Sequence, residues 1–130
     1  NGTTYLTSSK DIYVTGSQVI SSNLEVQGTF TETSALKYKE NVKPLENQIS
    51  KIIQLNPVKF NYKTDNKPSI GLIAENVKEI YPELVANNEE GEANSVNYTR
   101  LVSPLIECIQ ELNNKIDNLQ KEINKLKKNG

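Results

Sequence analysis

Several residue types are missing from this chain or nearly so. Its 130 residues include no histidine, no tryptophan and no methionine, and a single cysteine, Cys108. One cysteine excludes an internal disulfide, and without histidine a zinc site is not expected. The simplest role for Cys108 is that of a small residue packing along a helix.

The chain also lacks a long apolar run and a strong charge of either sign. No stretch approaches the roughly 18 apolar residues that a membrane-spanning helix needs. The formal net charge is −1, and the one basic cluster is Lys125, Lys127 and Lys128 near the end. Neither a membrane nor a nucleic acid is therefore expected as a partner.

Apolar residues make up 35% of the sequence, which is low for a globule that must bury a core by itself. A chain of this length forms one domain, or a small domain with appendages. Because small domains bury proportionally less surface, we expect much of the apolar surface to be buried against further copies of the chain. The opening Gly2-Thr3 is not a typical protein start, so the sequence is expected to be a piece of a longer protein.

Residues 1–33 are rich in Ser, Thr and Gly, and are predicted to form short β-strands separated by turns. Residues 12–14 and 24–26 carry the β-forming side chains, and glycines and Ser-Ser-Asn separate them. A segment this short and polar cannot bury a core alone. It could do so by winding together with two other copies, as the end of a fibrous shaft.

Residues 39–98 are predicted to be a small α+β domain. The spacing of its isoleucines predicts a helix over 45–54, with Pro44 in the first turn and a short strand before it. The later predicted elements are a strand over 58–62, a strand over 70–73, a helix over 74–80, an acidic loop over 87–94 and a strand over 96–98.

The last part of the chain, residues 99–128, is predicted to be one long helix with a coiled-coil seam. Ser103 and Pro104 suit the helix start, and a start near Thr99 is the alternative. β-branched residues at a and Leu at d favour two strands, and charges occupy e and g positions at Lys115, Glu122 and Lys127. The seam consists of Val102, Leu105, Ile109, Leu112, Ile116, Leu119, Ile123 and Leu126.

A candidate nucleophile, Ser34, lies where the β-type sequence gives way to the globular sequence. Without histidine, the base that a nucleophilic serine needs is most simply a neutral lysine, and Lys37 and Lys39 are the nearby candidates. Positions five apart are about 7.5 Å apart along a helix axis and about 17 Å apart in an extended chain. Ser34 and Lys39 can therefore meet within one chain only across a tight turn; otherwise the lysine comes from a neighbouring copy.

Three motifs in order give the chain a family resemblance. The first motif consists of Ser34, Lys39, Asn41 and Val42. The second is Gly71-Leu-Ile-Ala-x-x-Val, followed by Pro82-Glu-Leu-Val. The third is Val96-x-Tyr-x-x-Leu, which comes just before the long helix. Together they resemble the endosialidase-type intramolecular chaperone domain of phage tail spikes, tail fibres and neck appendages. The resemblance runs from Ser34 to the end of the chain. The family often has Asp or Ser where this chain has Ala35.

The resemblance implies an assembly state, a cleavage site and a sequence of assembly, cleavage and release. It implies a homotrimer, with residues 34–130 as the chaperone domain. It implies a self-cleaving serine peptidase in which Ser34 and Lys39 cut the Thr33–Ser34 bond, and in which Glu40 and Asn41 are candidates for orienting roles. The chain would belong to a virion tail or appendage precursor assembled in the host cytoplasm, with itself and the upstream shaft as partners. Its chaperone part would be released after the cut.

Three further expectations come with the resemblance. ATP is associated with cleavage in some appendage relatives, but no Walker-type phosphate loop is present here, so no nucleotide-binding residues can be named. One alternative is a trimeric fibre-tip domain that does not cleave and has a structural or receptor-binding role. Another is the related self-cleaving region of the myelin regulatory factor group, which the lack of a nearby membrane span disfavours.

Overall fold

The structure, a computed structural model, describes residues 6–130. Its chain divides into two units, Asn1–Glu40 and Asn41–Gly130. The part of the predicted shaft that falls on residues 1–5 lies outside the described residues. No helix in the described range is both long and apolar enough to cross a lipid bilayer.

Within the first unit, the one regular element among residues 6–40 is a 3-10 turn at Leu36–Tyr38. Residues 12–14 and 24–26 form no strand in the single chain, so their predicted strands in a shaft wound from three copies stay a prediction. All side chains from 6 to 40 are exposed. A strand needs a hydrogen-bonding neighbour and a face to bury, and a lone polar segment provides neither.

The second unit contains two small antiparallel hairpins. Strand β1 (Val58–Asn61) pairs with β2 (Pro68–Gly71), and Phe60 lies opposite Ser69. Strand β3 (Val85–Asn87) pairs with β4 (Ala93–Val96), and the register shifts near Ala86 and Asn87. Lys78 Nζ reaches from the neighbouring helix and donates to the side-chain oxygen of Asn87 at 2.9 Å.

Three helices accompany these hairpins: α1 (Ile49–Ile52), α2 (Ala74–Ile80) and α3 (Val102–Lys128). Tyr81-Pro82 ends α2 because proline cannot donate the next backbone hydrogen bond. The core consists of Val77, Tyr81, Leu84 and Leu101. Partly buried apolar residues from α1, α2 and the strands surround it, so the elements of residues 41–130 share one centre.

The α+β prediction with a long C-terminal helix is confirmed, but several boundaries differ. The predicted helix over 45–54 shrinks to four residues, because Asn47 has a φ of 58° that an α-helix cannot contain. No strand precedes it. The strand predicted over 70–73 ends at Gly71, and the predicted acidic loop is a hairpin turned at Gly91, whose φ is 83°.

The start of α3 also differs from the first expectation. A 3-10 turn at Tyr98–Leu101 leads directly into the helix, close to the alternative start near Thr99. The cap is Asn97, whose side-chain oxygen accepts from the Arg100 backbone N–H at 3.3 Å. Ser103, the predicted cap, lies inside the helix.

Candidate functional site

The structure brings Ser34 and Lys39 together within one chain. Lys39 Nζ donates to Ser34 Oγ across 2.7 Å. The 3-10 turn at Leu36–Tyr38 makes this contact, since Tyr38 N–H donates to the Ala35 carbonyl at 3.1 Å and Lys39 N–H to the Leu36 carbonyl at 2.9 Å. Ala35 and Lys39 are both extended, so the chain enters and leaves the turn as a hairpin-like bend.

This arrangement has the parts of a serine nucleophile and a base. The hydroxyl oxygen of Ser34 lies within proton-transfer distance of an amine, which is the geometric condition for general-base activation. Both side chains are exposed in the single chain. Burial of such a pair would favour the uncharged amine, which is the form that can accept a proton.

Lys37, the competing base, has a different neighbour. Its Nζ lies 4.9 Å from the centre of the Tyr38 ring, in a cation–π contact. The Ser34 hydroxyl is hydrogen-bonded to Lys39 instead. The geometry thus separates two lysines that sequence spacing alone had left as alternatives.

Glu40 and Asn41 make no hydrogen bond or ion pair with Ser34 or Lys39 within the described part of the chain. Asn41 has a φ of 52°, in the left-handed region that asparagine tolerates better than most residues. The backbone turns at Asn41 after the Lys39 segment, and this left-handed conformation explains why an asparagine suits the position. An orienting role for either side chain stays a prediction.

The predicted seam of α3 is an unbroken exposed stripe in the single chain. Its eight residues keep between 46% and 72% of their surface exposed. Ile106, next to the seam, is 49% exposed and widens the stripe at its start. Exposed apolar stripes of this kind are typical of surfaces that bind another protein.

The side of α3 next to the seam is buried against the domain in the first turns of the helix. Leu101, Pro104 and Cys108 lie on this face. Burial raises the pKa of the Cys108 thiol, and the charges of Glu107 and Glu111 raise it further. The thiol therefore stays protonated and unreactive, as expected for a packing residue. The first two turns of α3 thus pack against the domain, while the seam stays exposed along the whole helix.

A buried polar network joins α1, α2 and α3, and sequence periodicity gave no signal for it. Gln48 is only 4% exposed. Its side-chain oxygen accepts from the Tyr81 hydroxyl at 2.9 Å, and its backbone N–H donates to Glu107 Oε2 at 3.0 Å. Burial, and then the nearby Cys108 and glutamate charges, raise the pKa of Tyr81. Tyr81 therefore remains a hydrogen-bond donor to Gln48.

Gly71 of the second motif has a contact that only glycine allows. A Cβ at this position would lie 2.8 Å from the Tyr98 hydroxyl oxygen. That oxygen accepts a hydrogen bond from the Leu72 backbone N–H at 2.9 Å. Gly71 belongs to the second motif and Tyr98 to the third, so this contact joins the two motifs in the fold.

A comparison with known families identifies part of the chain. Residues 34–86 match the model of the Peptidase_S74 family, described as chaperone of endosialidase. The matched stretch begins at Ser34 and contains the first two motifs, ending just after Pro82-Glu-Leu-Val. It also contains α1, the first hairpin and α2. This match, which covers less than half of the chain, supports an endosialidase-type intramolecular chaperone domain that includes residues 34–86.

Proposed function

We propose that this chain is the C-terminal intramolecular chaperone of a viral tail spike, fibre or neck appendage, which assembles as a homotrimer and then cuts its own Thr33–Ser34 bond. The observation that carries the proposal is the 2.7 Å hydrogen bond between Lys39 and Ser34. The family match supports it, because the match begins at Ser34 and the family bears the name of a peptidase.

The cut has two steps under this proposal. The neutral Lys39 amine takes the Ser34 hydroxyl proton while Oγ attacks the Thr33 carbonyl carbon. The C–N bond then breaks, Lys39 returns the proton to the freed Ser34 amine, and Thr33 is held as an ester on Oγ. Water hydrolyses the ester to give the Thr33 carboxylate and restore the hydroxyl. Conventional serine hydrolysis of the same bond uses the same two groups and is the variant mechanism.

Assembly supplies what the single chain does not. Both members of the pair are exposed. Covering them with neighbouring copies would remove water, and burial favours the uncharged form of an amine. Cleavage would then follow assembly and would report that the shaft has formed.

The exposed α3 stripe supports assembly through helix pairing. The a and d pattern alone is typical of two strands. Ile106 widens the stripe at an e position only in the first heptad, since the later e residues are polar. The trimer is proposed from the family resemblance and because it matches a three-fold shaft.

Intact-mass spectrometry under denaturing conditions tests the proposal. Cleavage between 33 and 34 of the 130 residues gives fragments of 33 and 97 residues. Ser34→Ala should abolish them. Lys39→Arg should slow their formation by about 10²–10⁴-fold, because guanidinium keeps the positive charge but cannot accept the proton. Lys37→Arg is the matched control and should cut normally. Parallel samples with and without ATP test whether a nucleotide triggers the cut.

The second candidate is a trimeric fibre-tip domain that does not cleave. Ala35, in place of the polar residue common in the family, favours it. A parent chain that stays intact through long incubation, with or without ATP, while remaining trimeric would select this candidate. Cleavage that survives Lys39→Arg would reject the proposed pair but leave self-cleavage standing.

A further inference from the structure

An apolar groove of about 470 Å³ lies beside the start of α3. Leu55 of the segment after α1, Leu72 after β2, and Leu101 and Leu105 of the helix region are among its walls. Leu105 also belongs to the seam, and 46% of its surface is exposed. The groove therefore runs directly into the stripe that is proposed to join copies of this chain.

The heptad positions of the seam residues also fix the heptad positions of their neighbours near the groove. With Val102 at a and Leu105 at d, Ile106 occupies e and Leu101 occupies the preceding g. In a parallel coiled coil the g residue of one helix faces the e residue five positions later on its neighbour, which is why these positions choose partners. Leu101 of one copy therefore faces Ile106 of the next.

The e position is apolar only in the part of α3 that lies beside the groove. Ile106 is apolar, and the e residues of the following heptads are Asn113, Gln120 and Lys127. The buried residues of α3 lie at its start, with Cys108 the last of them. The e residue is thus apolar at the one level where a neighbouring copy would meet the domain, and polar where it would meet only another helix.

We propose that the groove is a socket for Ile106 of a neighbouring copy. The inference rests on the proposed assembly and adds to it a contact between a domain and a second chain. The contact is directional, since the e side of one helix meets the g side of the next. Around a closed ring each copy gives one Ile106 and receives one. The second copy would thereby fix the domain to the coiled coil.

Two measurements test the socket. The first is the concentration at which the oligomer dissociates, from sedimentation of Ile106→Ser beside Ile53→Ser. Ile53 is 75% exposed and does not line the groove, so it is the matched control. We expect Ile106→Ser to raise the dissociation concentration at least tenfold and Ile53→Ser to change it less than about threefold. Equal effects of the two variants would overturn the proposal.

The second measurement locates the contact by cross-linking with a short bismaleimide. A chain carrying both Ile106→Cys and Leu55→Cys should give two-chain and three-chain bands on a denaturing gel. Each single variant sets the background, which includes buried Cys108. An oligomer that forms no bands beyond this background would overturn the socket while leaving the assembly intact. A parent chain that is monomeric at all concentrations would instead reject the assembly, and the socket with it.

Discussion

The N-terminal part of the chain and the rest differ in how much regular structure and buried core they contain. From 6 to 47 every side chain is exposed, and regular structure there is limited to one 3-10 turn. From 48 onward the chain builds a core around Val77 and Tyr81 with its own residues. The difference indicates that residues 41–130 can reach their fold alone, whereas residues 6–33 gain no regular structure from the single chain. Under the proposed assembly, the domain would fold first and other copies would then order residues 6–33.

The largest expected effect comes from breaking the seam with Ile109→Asp and Ile116→Asp together. A carboxylate buried in a coiled-coil core costs several kcal/mol. We expect the sedimentation mass to fall from about three times 14.6 kDa to the mass of one chain. Limited proteolysis should then remove 6–33 quickly while the domain from residue 41 survives.

The matched control for the seam adds the same charges outside it, as Gln110→Asp with Asn118→Asp. This variant should remain trimeric and keep residues 6–33 protected. If the seam variant also stays trimeric, or if its first 33 residues resist protease as a single chain, then the contrast between the two regions is wrong.

Within the second region, Tyr81→Phe should have the next largest effect. It leaves the buried Gln48 oxygen without its donor, at a cost of about 1–3 kcal/mol. Tyr62→Phe is the control, since Tyr62 is exposed and should change stability by less than about 0.5 kcal/mol. Urea unfolding at one fixed chain concentration measures both. Equal midpoints would mean that the Gln48 network does not hold the domain.

A smaller effect on the free energy of unfolding is expected from Gly71→Ala, and its sign should depend on whether residue 98 is Tyr or Phe. Gly71→Ala should destabilise the parent by about 1 kcal/mol, because the new methyl displaces the Tyr98 hydroxyl from the Leu72 N–H. In a Tyr98→Phe background the nearest remaining atoms are Phe60 Cε1 at 3.5 Å and Cζ of residue 98 at 3.8 Å, which are both ordinary contacts. There the substitution should be neutral or slightly stabilising, since alanine has less freedom in the unfolded chain. Equal costs in both backgrounds would rule out the contact as the cause.

The smallest effect is a pH dependence at Cys108. Its pKa is raised in the folded chain, so the folded state holds the thiol proton more tightly than the unfolded state. The resulting stability is complete below the unfolded thiol pKa of about 8.5 and is lost as pH rises through the folded value. As pH rises above about 8.5, the melting temperature should fall more steeply in the parent than in Cys108→Ala. Parallel slopes would contradict the shift.

Elements with strong periodicity were predictable, and those set by single residues were not. The uninterrupted spacing from Val102 to Leu126 specified α3, and α2 was predicted at its observed bounds. The helix at α1 was overestimated because nothing in the apolar pattern shows that Asn47 turns left-handed. The second strand was displaced because the Leu72 N–H bonds to the Tyr98 hydroxyl instead of extending the ladder.

The candidate site was predictable in its residues and not in its geometry. Motif spacing selected Ser34 and Lys39, and chain dimensions left two routes for their contact, a tight turn within one chain or a lysine from a neighbouring copy. The sequence did not indicate a 3-10 turn at Leu36–Tyr38, since those three residues carry no turn signal such as Gly or Pro. The burial of Gln48 was not predicted either, because a polar side chain is buried only where hydrogen-bonding partners are available, and the sequence does not show those partners.

The hydrogen bond between Lys39 and Ser34 within one chain has a genetic consequence. If both groups of the pair come from the same polypeptide, an intact lysine on one chain cannot serve an intact serine on another. Co-expressed Ser34→Ala and Lys39→Ala chains would then fail to complement each other. In mixed trimers with the parent chain, the cut fraction would rise in simple proportion to the parental gene dose, without dominance by either variant.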